Sequence, residues 1–212
     1  MMISRMTSLL ARAKARLADE RGVAAVEFAL LLPVMLTMYL GSVEVSQGLS
    51  ADRKVVLLAR TLGDLTTQKS AVSTSTMDTV SAAGSVVLSP LKVNVALMRV
   101  TSIAISAPSS GTVNDATVCW TYVKGSWPTA YTLGQKLDVT TVPTTLRTDI
   151  GSSVVLAEVQ YPYKPVIGYV VTGQLQLKER IFMRPRVSSY ITNSDVINSG
   201  QPKTASGPCT NS

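Results

Sequence analysis

The sequence predicts an α+β protein in which a long N-terminal transmembrane and stalk helix precedes a head with about four antiparallel strands and one further helix. Three observations lead to this prediction. Residues 23–40 form an apolar run with a single charged side chain, Glu27. Hydrophobic residues then recur every three or four positions as far as residue 65, which is typical of an amphipathic helix. Beyond Pro90, apolar residues alternate with polar ones, which is typical of strands with one buried face.

The apolar run is long enough to cross a membrane. At about 1.5 Å per residue its 18 residues span about 27 Å, against about 30 Å for the hydrocarbon core of a bilayer. A carboxylate at mid-membrane costs on the order of 2.5–3.5 kcal/mol by insertion scales, and less near an edge. Glu27 therefore indicates a functional role, unless it lies one turn inside the interface and reaches headgroup water. Pro33 removes one helical hydrogen bond and predicts a kink.

Positive charge is concentrated before the apolar run. Residues 1–22 carry five basic and two acidic residues, whereas the charges that follow the run are nearly balanced. This asymmetry predicts that the N-terminus stays in the cytoplasm and that the residues after the run lie outside it. The alternative is a cleaved secretory signal. The best cleavage site for such a signal, at residues 48–50, lies eight residues too late.

The residues around Gly22 carry a resemblance to a known family. A basic leader that ends in Gly22, followed by small apolar residues, Glu27-Phe28 and an apolar helix, resembles the class III signal of type IV pilins and pseudopilins. Residues 21–33 (RGVAAVEFALLLP) resemble, more narrowly, the start of the TadE-like pseudopilins of tight-adherence (Flp-type) pilus systems. Vaguer similarity covers residues 118–120, 161–165 and 184–188.

The resemblance implies a processing site and an assembly site. A membrane prepilin peptidase would cut after Gly22, so that the mature protein begins at Val23, and Glu27 with Phe28 would serve assembly with a neighbouring subunit. The implied partners are the prepilin peptidase, other pseudopilins and pilus subunits, and the inner-membrane pilus assembly platform. The implied location is the inner membrane, crossed once, with the C-terminal domain in the periplasm. Flp pilin subunits are very short and carry Glu-Tyr, so a chain of 212 residues resembles a minor component.

The chain is predicted to have five parts. These are a cytoplasmic leader (1–22), a transmembrane helix (23–40), a stalk helix (41–65), a periplasmic α+β head (66–192) and a flexible tail (193–212). The net charge of +7 for the whole chain falls to +4 without the leader, which contributes +3. Such a mildly basic domain gives no reason to expect nucleic-acid binding.

Hydrophobic spacing predicts two helical faces after the membrane run. In the stalk, Val55, Leu58, Leu62 and Leu65 form one stripe, which packs either on the head or on a partner helix. A polar loop over residues 66–76 follows. A second helix is predicted to begin at a capping pair, Ser75 and Asp78, and to end at Pro90. Its buried face is formed by Met77, Val80, Gly84, Val87 and Leu88.

Four segments alternate as strands do. The first runs from Val93 to Ile105 and is followed by a turn at residues 108–111. The second is Thr117–Val123, and the third, Val154–Tyr161, is predicted to end at two prolines. The fourth places residues 175, 177, 181 and 183 on one face and residues 176, 178, 180 and 184 on the other. This pattern predicts a sheet covered by helices on one side only, the plan of the pilin-like fold.

Two cysteines, Cys119 and Cys209, suit an exported domain with one disulfide. Because the disulfide would close a loop of about 90 residues, it would add at most about 4.6 kcal/mol to the free energy of unfolding in the chain-entropy model. The alternative is a buried free thiol at Cys119 and a second thiol in a disordered tail.

Catalytic and cofactor motifs are missing from the sequence. It contains no histidine, which removes the commonest general base, the triads that depend on it and most catalytic zinc sites. No metal, cofactor or enzymatic activity is therefore expected, although a Ser–Lys dyad stays open. Trp120, Tyr122 and Trp127 form either an exposed aromatic surface for sugar or a pilus neighbour, or simply core aromatics. The second functional hypothesis is an unprocessed, single-pass periplasmic scaffold.

Overall fold

The computed structural model describes residues 20–129, 131–165, 168 and 173–195. The chain divides into two compact units, which are treated separately below. The first contains the residues up to Gln47 together with Pro165–Gly173, and the second contains Gly48–Lys164 and the residues from Gln174 onward.

Helix α1 runs from Glu20 to Thr67 and contains Pro33 in its interior. The proline does not end the helix, and Thr37 Oγ1 donates a hydrogen bond of 2.8 Å to the Pro33 carbonyl. At the C-terminal end, Thr67 Oγ1 donates to the Asp64 carbonyl at 2.9 Å. The boundaries proposed for leader, anchor and stalk all lie within or before this helix and remain predictions.

The stalk stripe packs inside the second unit. Val55, Leu58 and Leu62 are at most 1% exposed, and Leu65 packs against the same cluster. The stripe therefore belongs to the core of the head, as predicted, and is not available to a partner helix.

Two short helices follow α1 on the same side of the sheet. They are α2 (Thr74–Ala82) and α3 (Gly84–Leu88). The predicted capping pair is wrong, because Ser73 rather than Ser75 is the N-cap and accepts a hydrogen bond from the Thr76 amide. Ser73 adopts this role because its extended backbone directly follows a strand, which leaves its hydroxyl at the helix start.

The head contains a five-stranded antiparallel sheet and a small parallel pair. The sheet order is β4–β3–β2–β5–β6, and β1 pairs with β7. The strands are β1 (Ala71–Val72), β2 (Leu97–Ser106), β3 (Asp115–Lys124), β4 (Lys136–Leu137), β5 (Ser153–Tyr163), β6 (Leu175–Met183) and β7 (Thr192–Asn193). Short 3-10 helices occupy Val93–Val95 and Thr144–Leu146. Because of the first of them, β2 begins at Leu97, four residues after the predicted start at Val93.

Both faces of the sheet are covered, which corrects the prediction of one wet face. The first face packs on the helices through a cluster that includes Met98, Val100 and Ala157. The second face forms its own cluster, which consists of Ile103, Ile105, Ala116, Val118, Leu137, Val142, Val154 and Leu156. Leu137 and Val142 come from the connection between β3 and β5. This connection has no regular hydrophobic period, so the sequence pattern did not reveal that it folds over the sheet.

The last two long strands differ in how well the sequence predicts them. In β6, Leu177 and Ile181 pack against the first cluster, and Arg180 lies on the opposite face, as predicted. Strand β5 continues through Pro162, which was expected to end it. The pairing of β5 with β2 stops at Gln160, so the missing N–H of Pro162 removes no bond to β2.

The segment that was predicted as a tail begins inside the fold. Asn193 is buried, and it pairs with Val72 in the β1–β7 ladder. Residues 196–212, which include the rest of the predicted tail, lie outside the described residues.

Candidate functional site

Gly22 lies in the first turns of α1, where the described residues leave room for a side chain. A Cβ added to Gly22 would meet no atom within 4 Å. By contrast, a Cβ on Gly63 would lie 2.9 Å from Met183 Sδ, and one on Gly84 would lie 3.0 Å from Leu58 Cδ1. A glycine inside a helix costs about 0.5–1 kcal/mol relative to alanine. Packing among the described residues therefore gives no reason for a glycine at position 22.

The helix that follows Gly22 exposes an apolar surface. None of its most apolar 18-residue window is buried within the protein, and its length and composition suffice to cross a membrane. The exposed large side chains are Val23, Val26, Phe28, Leu30, Leu31, Leu32, Val34, Met35, Leu36, Met38 and Tyr39. Exposure of so many apolar side chains is unfavourable in water and favourable in lipid.

The predicted processing and assembly residues are neighbours on this helix. Val23 and Glu27 are one helical turn apart, so their side chains lie on the same face of α1. Phe28 is adjacent and 58% exposed. The helix thus brings Gly22, Val23, Glu27 and Phe28 together at one end, while their roles in cleavage and assembly stay predictions.

The cysteine prediction involves one described residue. Cys119 is the extra residue that a β-bulge adds to β3, because the register shifts between Trp120 opposite Ser102 and Val118 opposite Ile103. Its half-buried side chain packs against the first core cluster. Cys209 lies outside the described residues, so the pairing with Cys119 remains a prediction.

The three aromatic residues of the β3 region have different environments. Trp120 is buried, and its Nε1 donates to the Ile191 carbonyl at 2.7 Å. Tyr122 is half-buried, its hydroxyl donates to Asp78 Oδ1 at 2.7 Å, and burial raises its pKa. These two residues are core aromatics. Trp127 is half-buried in the connection after β3, where its Nε1 donates to the Met98 carbonyl at 3.1 Å.

A buried ion pair lies on the second face of the sheet, and the sequence analysis missed it. Arg99 is 3% exposed and donates from Nε to Glu158 Oε2 at 2.7 Å. Its guanidinium lies 4.3 Å from the ring centre of Trp127 and 3.9 Å from that of Tyr131. Burial and the nearby Glu158 raise the pKa of Tyr131. Arg99 and Glu158 lie opposite each other in the pairing of β2 with β5. The available sequence signal was that each charged residue occupies a position of an alternating strand on the same face as buried apolar residues.

Among the described residues, one lysine ammonium is hydrogen-bonded to a serine hydroxyl, and this pair bears on the open question of a catalytic Ser–Lys dyad. Lys136 Nζ donates to Ser109 Oγ at 2.5 Å and to Asp115 Oδ2 at 2.7 Å. The hydrogen bond from Lys136, and further ones from Ser109, lower the pKa of Asp115. The amine of a catalytic dyad must accept the serine proton, whereas Lys136 Nζ is the donor in both of these hydrogen bonds.

The part of the chain that the structure describes contains no set of metal ligands. No group of three or more histidine, cysteine, aspartate or glutamate side chains there could hold a metal ion.

Comparison with known proteins identifies one region. A family model described as TadE-like protein matches residues 22–62. In the same comparisons, no curated protein and no solved structure matches this chain. The match begins at the glycine that the sequence analysis singled out and continues along α1. Residues 22–62 are therefore similar to the corresponding region of TadE-like proteins.

Proposed function

We propose that this protein is a pseudopilin, a structural component of a tight-adherence pilus system that is anchored in the inner membrane. The observation that carries the proposal is the coincidence of the TadE-like region with an uncovered apolar helix. Its partners would be other pseudopilins, pilus subunits and the inner-membrane assembly platform. The head would occupy the periplasm, because the excess of basic residues precedes the helix.

Processing after Gly22 is the first step of the proposed function. None of the described residues packs against position 22, and the missing side chain of the glycine would let a peptidase approach the backbone closely. The mature chain would then begin at Val23 with a new α-amino group, which is mostly protonated at neutral pH.

Pairing between Glu27 and this amine is the proposed basis of assembly. In a bundle of anchor helices, the Glu27 carboxylate of one subunit would meet the Val23 amine of the next. The pair would offset the penalty that either charge alone meets in lipid. Two other partners remain possible for Glu27, namely the Val23 amine of its own helix and headgroup water.

A variant at position 22 tests processing. We expect Gly22→Leu to remain in the membrane as a precursor that retains residues 1–22, because the leucine obstructs the peptidase. Gly48→Ala is the matched control, since its new Cβ would lie 3.8 Å from Tyr163 Cε1, an ordinary contact. Mass spectrometry of both proteins, from cells with an active prepilin peptidase, measures the N-terminus. Intact Met1 on the wild type would contradict the proposal.

One observation favours the second candidate, an unprocessed periplasmic scaffold. Gly22 lies inside α1, which already begins at Glu20, whereas proteases generally cleave segments that are not held in regular structure. The same measurement separates the two functions, because a scaffold keeps residues 1–22 and a pseudopilin loses them.

A further inference from the structure

A small cleft on the second face of the sheet has the composition of a ligand site. It has a volume of about 120 Å³ and is lined by Trp127, Glu158, Val159, Gln160, Lys178, Glu179 and Arg180. The β5–β6 register places Gln160 opposite Lys178 and Glu158 opposite Arg180. The four polar side chains therefore form two adjacent cross-strand pairs, with the tryptophan at one side of them.

Trp127 is held in place before any ligand arrives. Its Nε1 is bonded to the Met98 carbonyl at 3.1 Å, and the Arg99 guanidinium stacks on its ring at 4.3 Å. The ring is nonetheless only half-buried. A fixed aromatic surface loses little conformational freedom on binding, so more of its contact energy becomes affinity.

Several hydrogen-bond donors of the cleft are unused. Among the residues that the structure describes, the Gln160 amide and the Lys178 ammonium make no hydrogen bond or ion pair. Arg180 Nε lies 3.5 Å from Glu158 Oε1, and within the described part of the chain its guanidinium donates no hydrogen bond, so its N–H groups can serve a ligand. The other Glu158 oxygen is bound by Arg99 at 2.7 Å. Glu179 also lines the cleft, but the alternation of β6 places its side chain on the opposite face from Lys178 and Arg180. Because Arg99 and Glu158 neutralise each other, the charges that remain on this face of the cleft are those of Lys178 and Arg180.

We propose that this cleft binds an acidic sugar, a hexuronate unit of an anionic polysaccharide. A pyranose ring offers a flat C–H face for the uncovered part of the Trp127 ring and hydroxyl groups for Gln160. Its carboxylate would accept charge-assisted hydrogen bonds from Lys178 and Arg180. The cleft is small, so it would hold one sugar unit while the rest of the polymer stays in solvent. This site lies in the head, and its chemistry does not depend on cleavage at Gly22.

Calorimetric titration of the full chain in detergent micelles with trigalacturonate tests this proposal. We expect saturable binding, and we expect Lys178→Gln to weaken it about tenfold through the loss of one charged hydrogen bond. Lys69→Gln is the matched control, because Lys69 is equally exposed but lies outside the cleft. Gln160→Ala provides a second variant that leaves all charges in place, and it should also weaken binding. Unchanged thermal unfolding would show that each variant retains its fold.

Three ligands and the control distinguish sugar recognition from charge attraction. The neutral methyl ester of trigalacturonate should bind at least about tenfold more weakly than the acid. A triglutamate peptide should also bind more weakly, because it carries carboxylates but no flat ring. Equal affinity for that peptide would overturn the proposal and favour an acidic protein segment. An equal loss in Lys69→Gln and Lys178→Gln would overturn it as well, since it would indicate unspecific attraction.

Discussion

At the scale of single residues, buried arginines hold the loops of the head. Arg147 is 6% exposed and donates to the carbonyls of Val142 at 2.9 Å, Leu137 at 2.8 Å and Asn114 at 3.2 Å, as well as to that of Asp138. The backbone of the connection between β3 and β5 is thus bound at several points by one side chain. A planar guanidinium with five N–H donors is suited to this role, whereas a lysine ammonium is not.

We therefore expect Arg147→Lys to lower the free energy of unfolding by about 2–4 kcal/mol, because several buried carbonyls would lose their donors. Arg60→Lys, at an exposed position of α1, should change it by no more than about 0.5 kcal/mol. Urea unfolding followed by tryptophan fluorescence measures both values. If both variants changed the free energy of unfolding by the same amount, the hydrogen bonds of Arg147 would make no net contribution to stability.

Glu27 carries the residue-scale prediction for assembly. Glu27→Gln keeps the shape of the side chain and removes its charge, so we expect normal cleavage and membrane insertion but loss of pili and of co-purifying pseudopilins. Asp52→Asn neutralises a carboxylate on the same helix outside the apolar run and should leave assembly intact. Wild-type levels of pili in the Glu27→Gln strain would instead favour the hydrated, interfacial carboxylate.

At the scale of elements, the C-terminal part of α1 approaches the sheet closely. A Cβ on Gly63 would lie 2.9 Å from Met183 Sδ and 3.5 Å from the Ala157 Cβ, so only glycine permits the observed spacing without a shift. The contact joins the C-terminal part of α1 to β5 and β6. Gly63 directly follows residues 22–62, which match the TadE-like family model.

A double-mutant cycle tests this contact. Gly63→Leu should destabilise the head by about 1–3 kcal/mol, the usual effect of overpacking. Met183→Ala in the same chain should recover part of the loss, because it removes the side chain that the leucine meets first. Denaturant midpoints of the two single variants and the double variant give the coupling. Strict additivity would mean that the strain lies elsewhere.

At the scale of the whole molecule, a Cys119–Cys209 disulfide would join β3 to the C-terminal segment. We expect the purified protein to migrate differently on reducing and non-reducing gels, and to show no free thiol before reduction. Cys119→Ser should lower the free energy of unfolding by about 2–5 kcal/mol, as for other native disulfides. Thiol labelling of both cysteines in the unreduced protein would refute the bridge.

The sequence predicts those parts of the molecule that depend on local composition or on a regular spacing of hydrophobic residues. The membrane run, the stalk stripe and the alternation in β6 follow from local patterns, so they were found. The second covered face was missed because it depends on a connection without a period. The Arg99–Glu158 pair was missed because it joins residues that are 59 positions apart, and the cleft beside it exists only once β5 and β6 align.

The parallel pair β1–β7 determines how the head would carry mechanical load. Thr192 N donates to the Ser70 carbonyl at 3.1 Å beside this pair. The end of α1 is joined to the chain before β7 by the Arg186 amide, which donates to the Thr67 carbonyl at 3.0 Å, and by an ion pair of Arg186 with Asp64 at 2.5 Å. The chain enters β1 from α1 at one end of this pair and leaves β7 at the other. Tension between α1 and the end of β7 would therefore load the bonds of this pair together in shear, in parallel with the packing of α1 on the five-stranded sheet.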